Sequence, residues 1–302
     1  MRTRHALLLA ALPFIVHATP AVAGRPFDDG RPVAIVDSGE IAEASGLAVS
    51  RKNPAIVWVH NDSGEQPRLF AIGLDGKLVS TVNLVGAKAR DWEGMAICPG
   101  PTDGVDYLYV GDVGDNFARE ESISVYRVPE PDTTKLDESV DLDGVVALEL
   151  RYPDGAHDAE ALMCDPRTGD LFVITKDVGG NNEVFRAAAP QSRRQPTILE
   201  KIATVTFPGE TASELAATGA DISSSGELII IRSYNRASIW KRGPEQSVAE
   251  ALAEGGRPVL VPGPPVEPQG EAIALTPDAV SYYTLGEGLA QPLFRFDRRI
   301  PE

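Results

Sequence analysis

Five short segments of one kind recur along the chain: Ser45-Gly46-Leu47-Ala48-Val49, Glu93-Gly94-Met95-Ala96-Ile97, Glu160-Ala161-Leu162-Met163-Cys164, Thr218-Gly219-Ala220-Asp221-Ile222 and Glu271-Ala272-Ile273-Ala274-Leu275. They are spaced by roughly 50 to 65 residues, and repeats of about that length are the mark of β-propeller blades. Each is followed by a second strand-type run, at 55–60, 107–111, 171–175, 228–231 and 280–285, and then by a polar turn. A third run carries an aliphatic–aromatic pair in every copy: Leu69-Phe70, Val125-Tyr126, Val184-Phe185, Ile239-Trp240 and Leu293-Phe294. Fourth runs follow at 78–85, 145–150, 198–207 and 258–261, but the fifth copy has none. An unassigned strand at 33–36 precedes the first copy. If it completes the last one, the ring closes and no sheet edge is left open along the seam.

The repeat therefore predicts an all-β protein, a five-bladed β-propeller closed by an N-terminal strand. Six blades, and a β-sandwich with accidental self-similarity, are the competing architectures. Segment 129–142 lengthens the second unit, but its proline and charge content marks a surface insertion rather than a blade. One helix is expected, because Ser247-Val248-Ala249-Glu250 has the capping-box pattern and Gly255 stands at a natural stop.

Residues 1–23 have the form of an export signal: Arg2 and Arg4, an apolar run at 6–16, and the small-x-small site Ala21-Val22-Ala23. The expected mature protein is a single propeller domain, 24–302, secreted or periplasmic and monomeric. The apolar run is too short to cross a bilayer, so no membrane span is expected. The 44 acidic side chains against 28 basic ones give a net charge of -16, which argues against a nucleic-acid partner. Beyond the leader only His60 and His157 remain, too few for a three-histidine zinc site. Cys98 and Cys164 lie on neighbouring first strands with side chains of opposite parity; a disulfide between them and two separately buried thiols are both open.

In a propeller the first strand of each blade lines the central channel, so the first repeat position becomes a ring. Here it holds Ser45, Glu93, Glu160, Thr218 and Glu271, all oxygen donors. Two carboxylates ~5 to 6 Å apart repel by about 3 kcal/mol at an effective dielectric near 20. Either protons are retained, or a hard cation sits among the oxygens; Ca2+ fits such a donor set better than zinc or copper. A purely hydrogen-bonded latch without an ion is the alternative.

The turns after the second strands open on the same end as the ring. They and their surroundings place Arg90, Lys176, Arg232 and Tyr234 as candidate binders of a small anionic substrate, and His60 as a candidate general base. For a non-enzymatic propeller, the same open face would bind a surface glycan or a protein ligand.

The segments Asp91-Trp92-Glu93-Gly94-Met95-Ala96, residues 109–116, Tyr152-Pro153-Asp154-Gly155 with Asp158-Ala159-Glu160-Ala161-Leu162, and Gln269-Gly270-Glu271-Ala272-Ile273-Ala274 resemble secreted bacterial propellers of the phytase-like or esterase-like group. The likeness runs from about Ala44 to Arg295. The ring also resembles the axial calcium site of calcium-activated nucleotidases. The resemblance implies calcium-assisted hydrolysis of a phosphate or carboxylic ester, with Glu93, Glu160 and Glu271 holding the metal and Asp112 or His60 orienting or deprotonating the water. The denser carboxylate clusters of the phytases themselves are not matched.

Overall fold

The computed structural model describes residues 25–62, 64 and 66–299. The expected export leader lies outside them. The chain begins with β1 (Arg31–Ile35) and then builds blades in sequence. Blade one is β2 (Ala44–Val49), β3 (Ile56–Asn61), β4 (Arg68–Gly73) and β5 (Leu78–Leu84). Blade two is β6 (Trp92–Pro99), β7 (Asp106–Asp112), β8 (Ile123–Pro129) and, after the short β9 (Ser139–Leu142), β10 (Val146–Arg151). Blade three is β11 (Ala159–Cys164), β12 (Leu171–Thr175), β13 (Asn182–Ala187) and, after the two-residue β14 (Thr197–Ile198), β15 (Glu200–Val205). A single helical turn, α1 (Ala212–Leu215), leads into blade four: β16 (Ala217–Ile222), β17 (Leu228–Ser233), β18 (Ala237–Lys241), the helix α2 (Val248–Ala253) and β19 (Arg257–Val259). Blade five is β20 (Gly270–Leu275), β21 (Ser281–Gly286) and β22 (Pro292–Asp297).

The missing fourth strand of blade five is β1, which pairs antiparallel with β22. Five sheets thus stand in a ring, a five-bladed β-propeller, and the six-bladed alternative is excluded. The expected helix forms at α2, with Ser247 accepting from the Glu250 amide and Glu250 reaching back to the Ser247 amide. Segment 129–142 needs correction. It is not a plain surface excursion, because β9 within it adds parallel to β5 as a fifth strand of blade one. In the same way β14 adds parallel to β10 of blade two.

The aliphatic–aromatic pair of each third strand has a geometric cause. Neighbouring strand residues point to opposite faces of the sheet, so each pair serves both seams that flank its blade. Leu69 packs in the seam between blades one and two, whereas Phe70 packs in that between blades five and one. Val184 and Phe185 divide in the same way between the seams on either side of blade three. Full burial of such a side chain stabilises by about 1.5–3 kcal/mol.

Near the axis the first strands crowd. A Cβ on Gly219 would lie 2.1 Å from the Glu271 carbonyl oxygen, and one on Gly94 2.4 Å from the Leu162 amide nitrogen. Only glycine lets the backbones approach so closely at these two positions.

Candidate functional site

Every ring residue sits on a break in register of its first strand. The shifts fall between Ala44 and Gly46, Trp92 and Met95, Ala159 and Ala161, Ala217 and Gly219, and Gly270 and Ala272. Ser45, Glu93, Glu160, Thr218 and Glu271 are thus the bulged residues of their strands. A bulge bends the strand and re-aims a side chain that regular pleating would send into a seam. All five residues are buried, with the three glutamates each 3% exposed.

Ligand atoms of Glu93, Glu160 and Glu271 all lie within 4.8 Å of one another. Ser45 donates its hydroxyl to Glu93 at 2.8 Å. The Thr218 hydroxyl donates across the seam to the Gly270 carbonyl at 3.0 Å. Lys176, one residue past β12, hydrogen-bonds Glu160 Oε1, and its ammonium lies 5.6 Å from the centre of the Tyr234 ring. Glu287 stands near Glu271, whose carboxyl is raised by burial and then by the charges of Glu160 and Glu287. Glu160 Oε2 and Glu271 Oε2 are buried with no hydrogen-bond partner.

The electrostatics follow from this crowding. Burial, then the Glu160 charge, raises the Glu93 carboxyl well above its usual range. Burial, again with Glu160, does the same to Glu271. Glu160 is pushed up to about 7 by burial, with Lys176 opposing the rise. Beside the ring, Asp62, Asp91 and Glu93 form a second group within 4.8 Å, and Asp91 is raised to about 6 by burial and then by Asp62.

The other expected site residues are placed as follows. His60 is fully enclosed, edge-on to Trp92 at 5.5 Å; its Nδ1 donates to the Asn61 carbonyl at 2.8 Å, and burial pushes its basicity down, leaving a neutral ring. It lies in the wall rather than on the open mouth. Asp112 accepts from the Asp91 amide at 2.9 Å and lies 3.7 Å from Arg90, so it holds the loop entering β6. Arg90 also lies 3.7 Å from Glu120. Tyr234 stands under Lys176, its phenol kept protonated by burial and by the charges of Glu160 and Glu271.

Arg232 does not reach the mouth. Its side chain is 0% exposed, paired with Glu267 at 3.1 Å, and it donates to the carbonyls of Ser233, Ala272 and Tyr234. The guanidinium is a strut between blades four and five, where a buried charge is held only by full hydrogen bonding. Glu267, its partner, carries no motif that singles it out in the sequence. Phe117, Val178 and Leu289, which no sequence motif marks, are 75%, 65% and 61% exposed. They stand on the mouth-side turns of blades two, three and five, the three blades that supply glutamates to the ring.

Cys98 and Cys164 form a disulfide across the seam between blades two and three, which resolves the open alternative.

No family model and no curated protein matches the sequence. Solved structures similar to it include a chain of a nidogen/laminin complex, 14% identical over 82% of this chain and 73% of that one, with a TM-score of 0.45. Another is the β-propeller domain of Myceliophteria thermophila Cps50 (Swd1), 12% identical over 89% of this chain and 100% of that one, with a TM-score of 0.44.

Proposed function

We propose that the axial ring is a Ca2+ site and that the protein is a calcium-dependent hydrolase of a phosphate or carboxylic ester, acting on a small anionic substrate at the mouth. One observation carries the metal: Glu160 Oε2 and Glu271 Oε2 are buried and unpartnered, in a group whose ligand atoms lie within 4.8 Å of one another. Oxygens on opposite sides of one calcium ion stand about 4.6–5.2 Å apart, twice the usual Ca–O distance. The donor set is oxygen only, which disfavours zinc and copper. The single ammonium of Lys176 cannot balance three carboxyls, so the ring must hold protons, a cation, or both.

Bound there, calcium supplies positive charge that polarises an ester oxygen. The chain supplies the rest. Lys176, backed by the Tyr234 ring, faces the same carboxyls and is the nearest protein cation for a substrate anion. Asp91, raised to about 6 and beside Glu93, takes the proton from an attacking water more readily than the enclosed His60 or the hydrogen-bonded Asp112. An export leader and the Cys98–Cys164 bridge support a secreted or periplasmic protein.

A second reading, a ligand- or protein-binding propeller whose axial cation is structural, is favoured by the exposed Phe117, Val178 and Leu289 on the mouth.

The test is thermal unfolding in chelator and again with calcium restored. A rise in Tm that grows with calcium, by about 2.7 kcal/mol of stability at a hundred times Kd, is the expected linkage, and Glu271→Gln should abolish most of it. No rise, with no metal found on the purified protein, makes the ring a hydrogen-bonded latch. Hydrolysis is tested on phosphoesters and lactones: Lys176→Ala and Asp91→Asn should each lower kcat/KM at least tenfold while calcium still binds. Activity equal to wild type in both variants overturns the roles given to Lys176 and Asp91, whereas no turnover of either substrate class by the wild type favours the binding reading.

A further inference from the structure

Away from the axis, a cavity of about 510 Å³ opens at the edge of blade four, between α2 and the paired chain ends that close blade five. Its apolar wall comes from Phe27, Leu228 and Trp240, which are 2%, 7% and 5% exposed. Around it stand Lys241 at the end of β18, Arg257 at the start of β19, and Arg298 just past β22. None of these three cations is ion-paired among the described residues, in a chain with 44 acidic side chains to choose from. The one acid on the wall, Glu254, is engaged by the Gln246 amide at 2.6 Å. Trp240 adds an indole Nε1–H that is buried without a partner, although buried indoles usually find an acceptor.

We infer that this cavity is a binding site for a small amphipathic organic anion, a carboxylate or sulfonate on an aromatic or aliphatic body. The volume lies in the range of small-molecule pockets, and the accessible lining is divided about evenly between polar and apolar surface. An apolar wall beneath three unneutralised cations selects one ligand chemistry: an uncharged hydrocarbon leaves the cations unanswered, and an inorganic anion leaves the wall wet. The inference is independent of the axial site, since none of these residues belongs to it. Strands β17, β18 and β19, helix α2 and the paired N- and C-terminal segments joined by the Phe27–Arg298 bridge meet here. Occupancy therefore ties blade four to the closure of the ring.

Naphthalene-1-acetate is a suitable probe, with its uncharged amide as control. Binding is measured by calorimetry and by quenching of tryptophan emission on the full chain. The acid is expected to bind saturably, one per chain, and the amide at least tenfold more weakly. Arg257→Gln combined with Arg298→Gln should weaken the acid at least tenfold while Tm without ligand stays within a few degrees of wild type. Both arginines are exposed, so the variant is expected to fold. Equal binding of acid and amide, an unchanged affinity in the double variant, or no saturable binding of the acid each overturns the inference. Chelator should leave the affinity unchanged, and a calcium requirement would assign the ligand to the axial mouth instead.

Discussion

Asp221 lies on β16 of blade four, enclosed, and accepts from its own neighbour's amide, Ile222, and from the Leu275 amide of blade five, both at 2.8 Å. Burial raises its carboxyl to about 6, with Arg51 opposing the rise. Its folded value exceeds the unfolded one, so the stability it contributes is present below about pH 4 and lost as pH rises through about 6, an amount on the order of 3 kcal/mol. In chelator, Tm should fall between pH 4 and 7, and it should fall less in Asp221→Asn than in the wild type. A variant with the wild-type slope would assign it to other groups. Lys176 makes the second residue-scale prediction. Removing the ammonium as Lys176→Met leaves Glu160 unneutralised, so the calcium-free protein should melt lower and calcium should bind several-fold tighter, as read by calorimetry. The ring and Lys176 were legible in the sequence as separate features. Their contact was not, because it depends on β11 and β12 pairing so that residue 176 returns beside residue 160.

At the scale of elements, five bulges and a set of seam locks do most of the positioning. Between blades one and two, Glu130 accepts from Ser50 at 2.5 Å and from the Trp58 indole at 3.1 Å. Blades two and three share the disulfide, and blades three and four share Arg242–Asp165 at 2.8 Å, both partners buried. The bridge closes a loop with a sequence separation of 66, for which chain-entropy arguments give a stabilisation of about 2–5 kcal/mol. Cys98→Ser with Cys164→Ser should therefore lower the denaturant midpoint clearly, and reductant should do the same to the wild type but nothing further to the variant. The strand runs were legible because burial on both faces gives continuous apolar sequence. The parallel edge strands β9 and β14 were not. Each is short and lent to the preceding blade, so its stability comes from the edge it covers rather than from its own pattern.

For the whole molecule, closure is the cooperative step. β1 carries the N-terminal segment onto β22, with Phe27 and Arg298 extending the pairing. A chain lacking residues 25–36 would expose the edge of blade five, and it should elute as aggregate or melt far below the full chain by size exclusion and circular dichroism. The sequence by itself determined the repeat, the four-strand order within each copy, the closing strand and the residues at the first repeat position. These are properties of a repeat, and each copy must bury the same faces against its neighbours. Only the tertiary structure decided which polar groups face one another across the seams. It sent Arg232 into a buried pair with Glu267 rather than to the mouth, and it joined Cys98 to Cys164. It also left oxygens of Glu160 and Glu271 without partners at the axis. Such pairings depend on angles and distances between strands far apart in the chain, and residue type at one position does not specify them.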